Sequence, residues 1–130
     1  MGVSDIVITN NPLVRDKLRN KRCDKRHDKP GGQRLEFHDT DYLGILKAVR
    51  DKIHSGHALL THPLSGSVKP GETPYKTIIV TAEKGALDTR GLFLIEESIQ
   101  TCVKLSVAKK EWSGEILTDF QLIDYSLISG

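Results

Sequence analysis

Apolar positions recur along this chain with two periods, one of two residues and one of three to four. "DIVIT" (5–9) is a short β-branched run that stops at Asn10-Asn11-Pro12, the pattern of a buried strand meeting a turn. Asn11 is placed to cap a helix with Pro12 in its first position, running through Leu13, Val14 and Leu18. "RLEFH" (34–38) is a second strand. "TDYLGILKAVRDKIHSG" (40–56) is the clearest helix: Thr40 or Asp41 begins it, and Ser55-Gly56 ends it. Its apolar stripe is Tyr42, Leu46, Val49 and Ile53. "ALLT" (58–61) and "TIIVTA" (77–82) give strands three and four. A long helix runs from about Asp88, with Asp88 or Thr89 as cap, to Lys110, and places Leu92, Ile95, Ile99, Cys102 and Val103 on one side. The spacing of Phe120, Ile123 and Leu127 makes 117–129 a last helix, although a strand also fits.

The order β-α-β-α-β-β-α-α points to one α/β domain over residues 1–130, with a basic loop at 19–33. The expected architecture is a three-layer α/β/α sandwich, Rossmann-like, with about four mostly parallel strands and helices on both faces. The direction of strand four stays open. No GxGxxG occurs, so a dinucleotide is not the expected ligand.

Composition adds the compartment. No apolar stretch approaches the ~20 residues of a membrane span, and the first residues carry neither a basic n-region nor a myristoylation pattern. The expectation is a cytoplasmic protein without membrane partners. Cys23 and Cys102 have no metal or redox spacing, and Cys102 falls on an apolar stripe, where it acts as a small hydrophobe. The net charge of +2 hides an asymmetry. Residues 15–34 hold nine of the 19 Lys and Arg against three Asp, leaving a mildly acidic body.

Candidate chemistry gathers where loops leave the carboxyl ends of strands, the edge at which open α/β sheets bind ligands. "TNNP" follows strand one and "THPLSGS" follows strand three. If those strands are neighbours, the loops converge. The ligand-binding candidates are then Asn10, Asn11, Thr61, His62, Ser65, Gly66, Ser67 and Lys69, with Thr9 beside them. Hydroxyls, amides, glycine-exposed N–H groups and a lysine suit a phosphate or carboxylate. Pro63, Pro70 and Pro74 stiffen the second loop, and Lys69-Pro70-Gly71-Glu72 reads as a type II turn.

Other readings of the same residues fare less well. "GSVKPGET" (66–73) has the glycine spacing of a P-loop, but Glu72 stands where the phosphate-binding lysine belongs, and a strand follows. His54, His57 and His62 have no metal-ligand spacing, so neither a metal nor another cofactor is expected. Ser65 or Ser67 with His62 as base lacks a nucleophile elbow and a third triad member, which leaves catalytic residues unassigned. The basic segment could contact nucleic-acid phosphates, but it has no aromatic residue for stacking and three Asp interrupt it.

The stretches "ITNNPLV" (8–14) and "YLGILKAVRDKIHSGHALLTHPLSGSVKPGETPYKTIIV" (42–80), with the helix beyond, resemble the GrdX family. The resemblance covers most of the first two-thirds of the chain and leaves out the basic arm at 19–33. It implies a small accessory protein encoded with the glycine, sarcosine and betaine reductase systems of amino-acid-fermenting anaerobes, with partners among the reductase proteins and no catalytic residues to carry over. The expected function is therefore accessory, binding a small anion or a protein partner at the polar edge. One alternative is a small enzyme acting on a phosphorylated or carboxylated metabolite. Another is a nucleic-acid-binding regulator working through 15–34.

Overall fold

The computed structural model describes residues 5–23, 34–63, 73–105 and 112–129, apart from the side chains of 19–23 and 128–129. Three strands and four helices follow in the order β1 (Asp5–Thr9), α1 (Pro12–Cys23), β2 (Arg34–Phe37), α2 (Tyr42–His54), β3 (Thr77–Thr81), α3 (Thr89–Leu105) and α4 (Gly114–Ser129). The sheet order is β2-β1-β3. β1 and β2 are parallel, with Thr9 opposite Phe37, as a strand–helix–strand crossover through α1 requires. β3 runs antiparallel to β1, with Thr9 opposite Thr77.

Two expectations are corrected here. The sheet has three described strands rather than four, and it is mixed rather than mostly parallel, so it is not the parallel sheet of a Rossmann-like sandwich. Residues 58–61 form no strand: only Leu59 bridges Val80, on the outer edge of β3. The cause is local, because side chains take two of the segment's backbone donors, while the Leu60 N–H still reaches the Ile79 carbonyl at 2.9 Å. The Ala58 N–H donates to Thr81 Oγ1 (2.8 Å) and the Leu59 N–H to Asp88 Oδ2 (3.0 Å). β3 also meets Leu59 in the antiparallel sense, so both of its described neighbours run against it.

One face of the sheet supplies Ile6, Ile8, Ile78 and Val80 to a core completed by Ile45, Leu46, Val49 and Ile53 of α2 and Ile95, Ile99 and Cys102 of α3. Helix α2 starts at Asp41, whose carboxylate accepts from the Gly44 N–H at 2.8 Å. It stops at Gly56, which takes the positive φ of 113° that a side chain would disfavour. Asp88 begins α3 by accepting from the Gly91 N–H, so one carboxylate holds both this helix and the 58–60 segment. Val103, placed on the α3 stripe by spacing, is 57% exposed. At the other edge, Glu36 of β2 meets Lys52 of α2 and His38, both at 2.8 Å. Burial pushes the Glu36 carboxyl up, but the hydrogen bonds and charges of Lys52 and His38 outweigh it and hold the group below its usual value. No helix among the described residues is long and apolar enough to cross a membrane.

Candidate functional site

The carboxyl end of β1 is closed by a buried polar network. Thr9 and Thr77, opposite each other in the ladder, bring their hydroxyls to 2.7 Å. The Thr77 hydroxyl donates to Asp124 Oδ2 at 2.6 Å, so the proton between the two threonines comes from Thr9. Asn11 takes its expected place before α1: its Oδ1 accepts from the Leu13 N–H at 2.9 Å. Its Nδ2 donates to Asp124 Oδ2 (2.9 Å) and to the Gln121 carbonyl (3.0 Å). Asp124 is therefore the buried anchor of α4, on a helix whose apolar residues Ile123 and Leu127 remain 43% and 46% exposed. Burial raises its pKa, while the hydrogen bonds from Thr77 and Asn11 and the Lys76 charge pull the other way.

Asn10 organises the neighbouring loops. Its Nδ2 donates to the carbonyls of Thr40 (2.8 Å) and Pro74 (2.9 Å), and its Oδ1 accepts from the Lys76 N–H (2.9 Å). These three bonds fix the approach of residues 74–76 to β3. Lys76 is thereby buried, at 3% exposure. Among the described residues no hydrogen bond or ion pair reaches its ammonium. Instead Nζ lies 5.9 Å from the centroid of the Tyr42 ring. Desolvation lowers the Lys76 pKa to about 8, against the opposing pull of the Asp124 charge. The Tyr42 phenol is raised by burial and by the charges of Cys102 and Asp124.

Lys76 opens into a cavity of about 20 Å³, lined also by Tyr42, Thr73, Tyr75, Phe120 and Asp124, with Ile123 and Leu127 completing it. That volume is enough for one water-sized molecule. Tyr75 is held by a 3.0 Å bond from Gln121 Nε2, and Phe120 by an edge-on contact with Trp112, the ring centroids 5.9 Å apart. A buried amine, a buried carboxyl and aromatic walls within one small pocket can bind an anion, exchange protons, or present a nitrogen nucleophile.

Of the residues expected from sequence, Asn10, Asn11 and Thr9 come together, and all three make bonds within the protein. Thr61 lies on the far side of β3, where its hydroxyl accepts from the Ile79 N–H at 3.1 Å. His62 is exposed. Ser65, Gly66, Ser67 and Lys69 lie outside the described residues. The 58–61 segment and β1 are not neighbours, because β3 stands between them. Lys76 and Asp124 were missed. His57, set aside as a metal ligand, is buried with Nδ1 donating to the Thr81 carbonyl at 2.7 Å, and no cluster of metal ligands occurs among the described residues.

These features define a small α/β protein with a mixed sheet and a lysine-bearing pocket where α4 closes one end of it. The chain matches the family of GrdX-like proteins over residues 6–130 and belongs to that family. The match extends the resemblance through the basic arm to the last helix. No curated protein and no solved structure matches the chain.

Proposed function

We propose that this protein is an accessory component of the glycine, sarcosine and betaine reductase system, and that it binds a small anionic ligand at the end of the sheet where β1 stops and β3 starts. The observation that carries the binding role is the Lys76 ammonium, buried with no hydrogen-bond acceptor among the described residues. The Tyr42 ring and the Asp124 charge return only part of the cost of desolvating that cation. An oxyanion or carboxylate supplies the missing acceptors. Thr73 adds a hydroxyl to the pocket wall, and Ser65, Gly66, Ser67 and Lys69, which precede it in sequence, lie outside the described residues.

Titration calorimetry with inorganic phosphate and with acetate tests this reading on the wild type and on Lys76→Met. Binding of either probe that weakens at least about tenfold in the variant supports it; one lost charge-assisted contact corresponds to such a change. Absence of binding by both probes, or equal binding by the variant, overturns it.

A further inference from the structure

We propose that Lys76 is a nucleophilic amine that forms an imine with a small aldehyde or α-keto acid entering the pocket from the α4 side. This rests on the reading of the Lys76 pocket as the ligand site and adds a covalent step to it.

Three observations converge. The amine lines a cavity rather than the surface, and no hydrogen bond among the described residues occupies its nitrogen lone pair or protons. A second titratable group, the Asp124 carboxyl, lines the same cavity and is itself buried at 6% exposure. Its Oδ2 is tied to Asn11 and Thr77, which fixes the carboxyl in place. Finally, apart from Thr73 the remaining wall is aromatic or aliphatic: Tyr42, Tyr75 and Phe120, with Ile123 and Leu127. Such surroundings lower an amine's pKa and so raise the neutral fraction that attacks carbonyls, at a pH where surface lysines are almost wholly charged. The present volume admits a water-sized molecule, so a compound of two or three carbons requires the half-exposed Ile123 and Leu127 on the pocket wall to turn aside.

The step balances without an oxidant or reductant. The Nζ lone pair adds to the carbonyl carbon while the C=O π pair moves to oxygen, which takes up the proton that nitrogen loses. The carbinolamine then expels that oxygen as water as nitrogen forms the C=N bond. The Asp124 carboxyl relays two protons in turn, the first from the attacking nitrogen to the alkoxide oxygen and the second from the carbinolamine nitrogen to the departing hydroxyl.

Reductive trapping reads the imine directly. The full-length protein is incubated at pH 7 with acetaldehyde or glyoxylate and cyanoborohydride, which reduces an imine to a stable secondary amine, and the labelled lysines are mapped by peptide mass spectrometry. The expected result is labelling of Lys76 at least about tenfold faster than any other lysine. An amine titrating near 8 has a neutral fraction about two orders of magnitude above that of an ordinary lysine, and restricted access returns part of that gain. The preference should vanish when the protein is unfolded in guanidinium before labelling. Labelling that falls evenly on the lysines, or that spares Lys76, overturns the imine. If Lys76 is spared while phosphate or acetate still binds and Lys76→Met abolishes that binding, the anion site stands and only the covalent step falls. If Lys76 is spared and neither anion binds, both readings fall.

Discussion

Replacing Lys76 by Met should stabilise the protein at neutral pH, an outcome opposite to that of most substitutions at buried positions. The side chain is 3% exposed, and its pKa falls from 10.5 to about 8 on folding. A shift of that size corresponds to about 3 kcal/mol of charge-burial cost. Met keeps the aliphatic length without the charge, so the cost disappears and the packing largely remains. Part of the gain is returned, because Asp124 loses the positive charge that draws its pKa down. The net expectation is about 1–3 kcal/mol, and at about 4 °C per kcal/mol for a chain of this length Tm rises by roughly 4–12 °C. The pH dependence has a definite sign. Below pH 8 the folded and unfolded chains both hold the Lys76 proton and the wild type bears the full cost. Between 8 and 10.5 the unfolded chain binds more protons, so the wild type gains stability with rising pH and the advantage of Met shrinks. Thermal melts of both proteins across that range measure it. A Lys76→Met protein that is less stable at pH 7, or whose advantage does not change between pH 7 and 10, would refute the claim that Lys76 is a buried cation maintained against the stability of the fold.

Other substitutions test the network around it. Asn10→Ala removes bonds to Thr40, Pro74 and Lys76 at once and should cost about 2–4 kcal/mol in denaturant unfolding, chiefly through the orphaned Lys76 N–H. Asp124→Ala leaves the Thr77 hydroxyl and one Asn11 N–H without their acceptor, for about 2–3 kcal/mol. It should also speed hydrogen exchange in α4 before other helices, since Asp124 is that helix's buried anchor. For Glu36, whose pKa is lowered in the folded state, the stabilisation is present above pH 4.5 and is lost as pH falls through the folded value. Glu36→Gln should therefore flatten the acid limb of the stability profile below pH 4.5 while lowering Tm slightly at pH 7.

Much of the fold was legible from periodicity and caps. The β-branched run at 5–9, the Asn11 cap and Pro12 start of α1, and the stripe of Tyr42, Leu46, Val49 and Ile53 all lie where spacing placed them. Residues 58–61 misled because a four-residue apolar run records burial and not pairing. What limits them to one bridge is capture of the Ala58 and Leu59 donors by Thr81 and Asp88, which lie 23 and 29 residues downstream in sequence. The pocket was also written in the pattern, as exceptions to it. Lys76 has the parity of Ile78 and Val80 and so falls on the core face of the strand. Asp124 sits within the stripe of Phe120, Ile123 and Leu127. Each charge interrupts an apolar face, and such interruptions say more about a site than a polar loop does.

That difference bears on what the loop candidates can contribute. Asn10, Asn11 and Thr9 resemble a donor set for an external anion, yet their hydrogen-bonding groups close onto Thr40, Pro74, Gln121, Thr77 and Asp124. A bonded amide gains little from meeting a ligand, because one bond is exchanged for another. Under the proposed function the Lys76 ammonium would have no hydrogen bond among the described residues to give up and would gain acceptors from a ligand. On that reading the asparagines are positioning residues: Asn10 holds the strand entry that buries Lys76, and Asn11 holds the carboxyl that lines the same pocket. Substituting either one should weaken ligand binding only as far as Lys76 or Asp124 moves. Substituting Lys76 should remove binding while leaving the fold more stable than before, and no residue with a purely structural role would show both effects.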